Sequence, residues 1–190
     1  MFYFTLYKKY RKYTNKVCSF FLSKELKINA LYIEYPFRFI RPELMQFGSN
    51  VDIGADARIE CFGKQNGGPK LILGNRVHLG RRIHIGAANK VIIGNDVLTG
   101  SDVFITDHSH GETTYEAMQL PPTQRPLFSK GIVVIEDNVW LGDKVCVLPH
   151  VRIGHNSIIG AGAVVTHDIP PYSVACGCPA QVIKSLQEKE

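Results

Sequence analysis

The sequence predicts an all-β repeat fold, a three-sided coil of short stacked strands, and three observations carry that expectation. First, apolar residues recur every six positions, from Ile135 through Leu141, Val147, Ile153 and Ile159 to Val165. That period matches neither a helix nor a flat alternating strand. Second, another series runs four residues behind the first, at Val139, Val145 and Val151, and small Ser157 and Ala163 continue it. Third, Gly142, Gly154 and Gly160 directly follow three of the leading positions, and glycine suits a repeated corner that needs positive φ.

Residues 1–28 come first and stand apart. The chain has 190 residues and a net charge of +5, but seven Lys or Arg against Glu25 give this segment +6 and leave the remainder at −1. Tyr3, Tyr7, Tyr10, Tyr13, Phe20 and Phe21 alternate with the lysines. A basic, aromatic helical segment of this kind suits an anionic membrane surface. Packing of its aromatic face on the open end of the coil, or on a neighbouring subunit, with the lysines solvated, is the reading preferred over the membrane surface. Nothing in the repeats supports a nucleic-acid partner.

Residues 29–48 read as a connector with edge-strand character, because Pro36 and Pro42 disfavour a long helix. This places an N-terminal segment at 1–48 and the repeat domain at 49–190. VDIGADARIECFG supplies an isolated first copy, and the Gly-Gly-Pro cluster in residues 61–70 marks a loop. Leu73, Leu79 and Ile85 lead one run and Ile93, Thr99 and Ile105 the next, with two extra residues entering near Ala87 to Lys90. About four to five coils follow, on the order of 20–25 Å tall at one strand spacing per coil.

The repeat then stops over 107–131 and resumes at Ile132. An interruption of that length in a compact body reads as a protruding, functional loop. Pro170 and Pro171 end the ladder, a short strand forms near Val174, and a C-terminal helix is expected over 181–190.

Composition narrows the function classes. The five cysteines, Cys18, Cys61, Cys146, Cys176 and Cys178, are odd in number and lack metal-finger spacing, which favours reduced thiols and a cytoplasmic setting. No apolar run is long enough to span a bilayer, and the N-terminus is a poor secretion signal. His108 and His110 stand where the excursion leaves the coil, in ITDHSHG. Imidazole is the side chain that accepts a proton near neutrality. A pair of solvated loop histidines without a role fits position alone equally well.

The repeats over roughly residues 50–184 resemble the hexapeptide-repeat acyltransferases, particularly bacterial sugar and polysaccharide O-acetyltransferases. The resemblance implies a left-handed parallel β-helix, against the usual right-handed crossover preference. It also implies acetyl-CoA as co-substrate with no metal, and a homotrimer whose sites are shared between neighbours. It places the essential histidine at His108, matched through VIIGNDVLTGSDVFITDH, and makes His110 the second candidate. Asp107 or Asp102 could orient the ring by accepting its other N–H, a role that a backbone carbonyl often fills in the family. IEDNVWLGD and GAGAVVTHD put Trp140, Asp143, Ala161, Thr166 and His167 along the acetyl-CoA arm, with Lys184 near its nucleotide end. His167 departs from the lysine common in the family. Asn89 and Arg125 are the acceptor-binding candidates, with Lys130 beside them, and His78, His84, His150 and His155 read as surface residues. The implied reaction is O-acetylation of a sugar or glycan in surface polysaccharide synthesis, on the cytoplasmic side and in reach of the inner membrane face. Two other classes remain: a γ-class carbonic anhydrase-like zinc enzyme, and a non-catalytic β-helix scaffold.

Overall fold

The structure, a computed structural model, describes residues 2–63 and 68–186. Residues 64–67 of the expected loop and 187–190 of the expected C-terminal helix lie outside the described residues. The repeat folds as a parallel β-helix with three faces. The first face begins with strands Leu31–Ile33, Val51–Ile53 and His78–Leu79, the second with Phe37–Ile40, Ala57–Cys61 and His84–Ala87, the third with Met45–Phe47, Leu71–Leu73 and Val91–Ile93. Within the coil, strands pair in parallel with those one coil away, as in Leu71↔Val91↔Val133.

The six-residue beat is the core. Ile135, Leu141, Val147, Ile153, Ile159 and Val165 are all fully buried, and so are Val139, Val145 and Val151 behind them. Inward side chains stack layer on layer along the axis, and this removal of apolar surface from water drives the winding.

The corners work differently from the sequence expectation. Positive φ falls on Asn50, Arg76, Asp96 and Asn138 along one edge and on Asp56, Arg82, Asp102 and Lys144 along another. The glycines before them serve close approach instead: a Cβ on Gly74 would stand 2.6 Å from the Gly94 carbonyl carbon one coil above. Side chains then clamp coil to coil. Asn75 Oδ1 accepts from Ser49 N–H, Asn95 Oδ1 from Asn75 N–H, and Asp137 Oδ1 from Asn95 N–H, at 2.7–2.9 Å. Asp102 pairs with Arg82 through two contacts of 2.6 and 2.7 Å, so it does not orient an imidazole.

Both ends depart from the expected boundaries. The coil starts at Leu31, because the 29–48 segment pairs in register with the next coil at Leu31↔Val51, Phe37↔Ala57 and Met45↔Leu71. Pro36 and Pro42 sit in the turns, where no ladder N–H is required. At the other end Gln181–Ser185 is a strand, antiparallel to Ser173–Cys176, and not a helix. β-branched Val182 and Ile183 extend an existing sheet edge, and that pairing outweighs the local helix preference of Gln, Lys and Leu.

The N-terminal helix, Phe2–Glu25, closes the open end of the coil. Ser19 Oγ accepts from Ile33 N–H at 2.9 Å and Asn15 Oδ1 accepts from Tyr35 N–H at 2.9 Å. These side chains satisfy the outer edge of the first strand, which would otherwise be an open template for pairing.

Candidate active site

His108 leaves the coil at the end of strand Phe104–Thr106 on the second face. Its Nδ1 lies 3.0 Å from Asp107 Oδ1 and 3.2 Å from Thr106 Oγ1. The Thr106 hydroxyl donates to the His108 carbonyl oxygen, so toward the ring it can only accept. In the neutral ring both partners favour the tautomer with the proton on Nδ1, which puts the lone pair on Nε2.

Asp107 is fully buried. Its Oδ1 also accepts from Ala88 N–H at 2.8 Å and its Oδ2 from Asn89 N–H at 2.7 Å. The corner clamp that ties coil to coil elsewhere is here coupled to an imidazole.

The His108 ring, one-tenth exposed, packs edge-on against Phe62 with centroids 5.0 Å apart. Gly86 lies beneath it. A Cβ at that position would come within 2.9 Å of His108 Cε1, so the absence of a side chain there makes room for the ring.

A cavity of about 160 Å³ opens before the ring, lined by Arg58, Glu60, Phe62, His84, Phe104 and His110 among others. Arg58, His84 and Phe104 share one outward register position on successive strands. Glu60 is 3% exposed and lies 2.7 Å from Arg58 and 3.4 Å from His84 Nε2. Burial pushes its carboxyl upward, but Arg58 and then His84 outweigh that, holding it below its ordinary range. Desolvation and the Arg58 charge lower His84, with Glu60 opposing, which favours its neutral form. Cys61, on the same strand as Glu60, is buried, which pushes its thiol up to about 12 and removes it as a nucleophile at neutral pH. A larger groove of about 310 Å³, lined by Tyr10, Arg11, Tyr35, Asp56 and Arg81 among others, contains no imidazole.

Of the residues expected from sequence, the cavity gathers His108 and His110. His84, expected to be a plain surface residue, lines it too. Asn89 contributes its backbone N–H to Asp107, and its side chain is exposed. Arg125, expected to meet the acceptor, is engaged within the excursion: Nε donates to the Leu120 carbonyl at 2.8 Å and a terminal nitrogen to Met118 at 3.2 Å. The excursion is itself a built element, with Ser109–His110 pairing antiparallel to Leu127–Phe128.

Trp140, Asp143, Ala161, Thr166, His167 and Lys184 do not line this cavity. Trp140 points outward from the first face, half-exposed, between Leu98 and Ile158. Asp143 Oδ1 accepts from Ser101 N–H at 2.6 Å in the next corner. Ala161 is exposed at the corresponding corner of the following coil. Thr166 and His167, joined at 2.8 Å, sit at a second-face corner two strands from the His108 corner, roughly 10 Å along the axis. Lys184 is exposed on the terminal strand opposite Val174. Sequence reasoning missed Arg58, Glu60, Phe62 and the packing role of Gly86. The shared register of residues 58, 84 and 104 was the signal that could have found part of this wall.

Among the described residues, no group of three or more His, Cys, Asp or Glu gathers to hold a metal ion, and no helix is long and apolar enough to cross a membrane.

A parallel coil built of six-residue units, broken by a long excursion at His108, is the architecture of the hexapeptide-repeat transferases. The bacterial transferase hexapeptide model, with six repeats, matches residues 132–167. A putative lipopolysaccharide-biosynthesis O-acetyl transferase of Escherichia coli K12, WbbJ, is 36% identical over 165 residues, covering 85% of this chain and 82% of that one. The structure of a maltose O-acetyltransferase from Clostridium difficile 630 aligns with a TM-score of 0.54 at 28% identity, over 85% of this chain and 67% of the other. A mutant of AntD, an N-acyltransferase from Bacillus cereus in complex with coenzyme A and dTDP-4-amino-4,6-dideoxyglucose, shares the fold with a TM-score of 0.73. Its sequence is 17% identical, over 87% of this chain and 90% of that one. The chain belongs to the hexapeptide-repeat acyltransferase family and is an acyl-CoA-dependent acyltransferase.

Proposed function

We propose that the protein transfers an acetyl group from acetyl-CoA to a hydroxyl of a sugar or glycan, with His108 as general base. The observation that carries this reading is the buried Asp107 carboxylate holding His108 by Nδ1, with Nε2 bare at a cavity. Nε2 takes the proton from the acceptor hydroxyl as its oxygen attacks the thioester carbonyl. The tetrahedral intermediate collapses with cleavage of the carbon–sulfur bond, and the coenzyme A thiolate leaves with the proton returned by the imidazolium. General-base assistance of this kind contributes about 10²–10⁴-fold.

The Arg58, Glu60 and His84 wall supplies charged and polar groups suited to a polyhydroxylated acceptor, in agreement with the sugar-directed relatives. The placement of Trp140, Asp143 and Ala161 away from the His108 cavity supports a site completed by a neighbouring subunit, with these residues, Thr166, His167 and Lys184 along the acetyl-CoA arm of a homotrimer. The left-handed sense of the winding, and a place in surface polysaccharide synthesis at the cytoplasmic side, belong to the same reading.

The test is acetyl-CoA consumption across a panel of sugars and glycan fragments, with mass detection of the acetylated product. His108→Ala is expected to lower turnover at least ~100-fold while acetyl-CoA still binds, with His110→Ala much milder. A near-native rate for His108→Ala would remove the ring from this role, and the opposite ranking would exchange the two histidines.

A further inference from the structure

We infer that the N-terminal helix is a docking surface for an anionic membrane. The helix presents three separate faces. Arg11, Asn15, Cys18, Ser19 and Leu22 face the coil, at the three- and four-residue spacings of one helical stripe. Asn15 and Ser19 are buried there, and Arg11 bonds the Tyr35 carbonyl and pairs with Glu34. On the opposite side Leu6, Tyr13 and Phe20 recur every seven residues as a second stripe, with Phe21 and Tyr10 at its margin, where Tyr10 also borders the groove toward Tyr35 and Arg81. Tyr10, Tyr13 and Phe20 are 68%, 71% and 54% exposed. Lys9, Lys12 and Lys16, all exposed, lie on the flank between the two.

A stripe of large apolar rings pointing away from the body of its own chain marks an interaction surface. Charge selects the occupant. Residues 1–28 carry +6 and the rest of the chain −1, so the positive field is confined to the helix that bears the rings. A second copy laid helix to helix would bring these lysines against one another, and the remaining surface, at −1, offers little net counter-charge to attract them. An anionic bilayer satisfies both faces. Tyrosine and phenylalanine settle at the boundary between headgroups and acyl chains, and lysines reach phosphate oxygens beside them. The helix is about 36 Å long at 1.5 Å per residue, and its attachment through Asn15 and Ser19 leaves the outer stripe clear. Each juxtamembrane lysine strengthens attraction to such a surface by about fivefold. The inference is independent of the chemistry at His108.

Co-sedimentation of the full chain with phosphatidylcholine vesicles containing roughly one-third phosphatidylglycerol tests it. Binding is expected to those vesicles and not to pure phosphatidylcholine, and to weaken as salt rises from about 0.1 M to about 0.5 M. Replacing Lys9, Lys12 and Lys16 by Gln is expected to weaken binding on the order of 100-fold, with turnover of the assayed substrate unchanged. Tyr10→Ser, Tyr13→Ser and Phe20→Ser together are expected to abolish it with the oligomeric mass in solution unchanged. A mass change in that triple variant would show that a second copy covers the stripe and overturn the inference, as would absence of vesicle binding by the native chain. Tyr13→Trp reads insertion even if the triple variant does not fold. Quenching by brominated lipid, beyond the Trp140 background, is expected, and its absence refutes insertion of the stripe.

Discussion

Asp107 and His108 are consecutive in the chain and joined side chain to side chain at 3.0 Å, while the same carboxylate accepts the Ala88 and Asn89 N–H groups of the coil below. The ring is therefore oriented by a group that the scaffold itself holds. A loop histidine positioned this way reaches the cavity without a separate ordering cost. Neighbouring coils show the same clamp doing structural work alone, at Asn75, Asn95 and Asp137.

Asp107→Asn separates these two duties. Three donors converge on Asp107, and an amide has one acceptor oxygen where a carboxylate has two. If the Asn nitrogen turns toward the ring it donates to Nδ1, which forces the proton onto Nε2 and removes the base. If it turns toward the turn, it meets the Asn89 N–H as donor against donor. The expected result is a fall in kcat of at least ~10-fold, short of the ~10²–10⁴-fold carried by the base itself, with KM for acetyl-CoA little changed. Steady-state kinetics at several pH values check it, and a native kcat would show that the carboxylate serves the turn alone.

Gly86→Ala probes the room beneath the ring. The new Cβ would stand 2.9 Å from His108 Cε1, so the imidazole must shift by a few tenths of an ångström. A displacement of about 1 Å can cost ~10²-fold, so a loss of roughly 10-fold in kcat is expected here. Thermal unfolding should change little, because the Cβ meets side-chain atoms of His108 and Thr106 and not backbone. A large fall in stability with proportionate loss of folded enzyme would assign the effect to the coil.

Acid should destabilise the site wall in two stages. His84 is lowered by desolvation and by Arg58. The unfolded chain therefore binds a proton near its ordinary value of about 6.5 before the folded chain does, and stability falls as pH drops below that value toward the folded one. Glu60 is held low against its own burial by Arg58 and His84. Its contribution is present above the unfolded value of about 4.3 and is lost as pH falls through the folded one. Unfolding midpoints measured from pH 7 to 3 should show the upper stage missing in His84→Gln and the lower stage missing in Glu60→Gln. Unchanged slopes in both variants would mean that neither group titrates abnormally.

Much of the column was legible because each coil repeats one rule: an inward aliphatic every six residues, as at Ile135, Leu141 and Val147, is enforced by stacking on the coils either side. His108 was legible because it marks the break in that rule. The cavity wall was not, since Arg58 and Glu60 acquire meaning only when strands 26 residues apart, as Arg58 and His84 are, come to lie side by side. The corner glycines were read as carriers of positive φ, whereas the need at Gly74 is set by backbone of another coil. The terminal strand was hidden for a related reason. Gln181–Ser185 has helix-forming residues, and only the exposed edge of Ser173–Cys176 makes extension the better choice.

Ser19 is where the N-terminal helix is fixed to the coil, and its loss should be felt in stability rather than in chemistry. The hydroxyl donates to the Asn15 carbonyl at 2.6 Å and accepts from Ile33 N–H at 2.9 Å, in a position only 6% exposed. Ser19→Ala leaves the Ile33 N–H without that acceptor in a place water reaches poorly. An unsatisfied buried donor costs about 1–3 kcal/mol. Denaturant unfolding at fixed protein concentration should register a loss of that size, with kcat for the folded fraction unchanged. Ser19→Thr, which retains the oxygen, should recover most of it if its extra methyl fits beside Ile33. A loss below about 0.5 kcal/mol in Ser19→Ala, the scale of an ordinary surface substitution, would mean that the apolar contacts of Cys18 and Leu22 hold the helix without this bond.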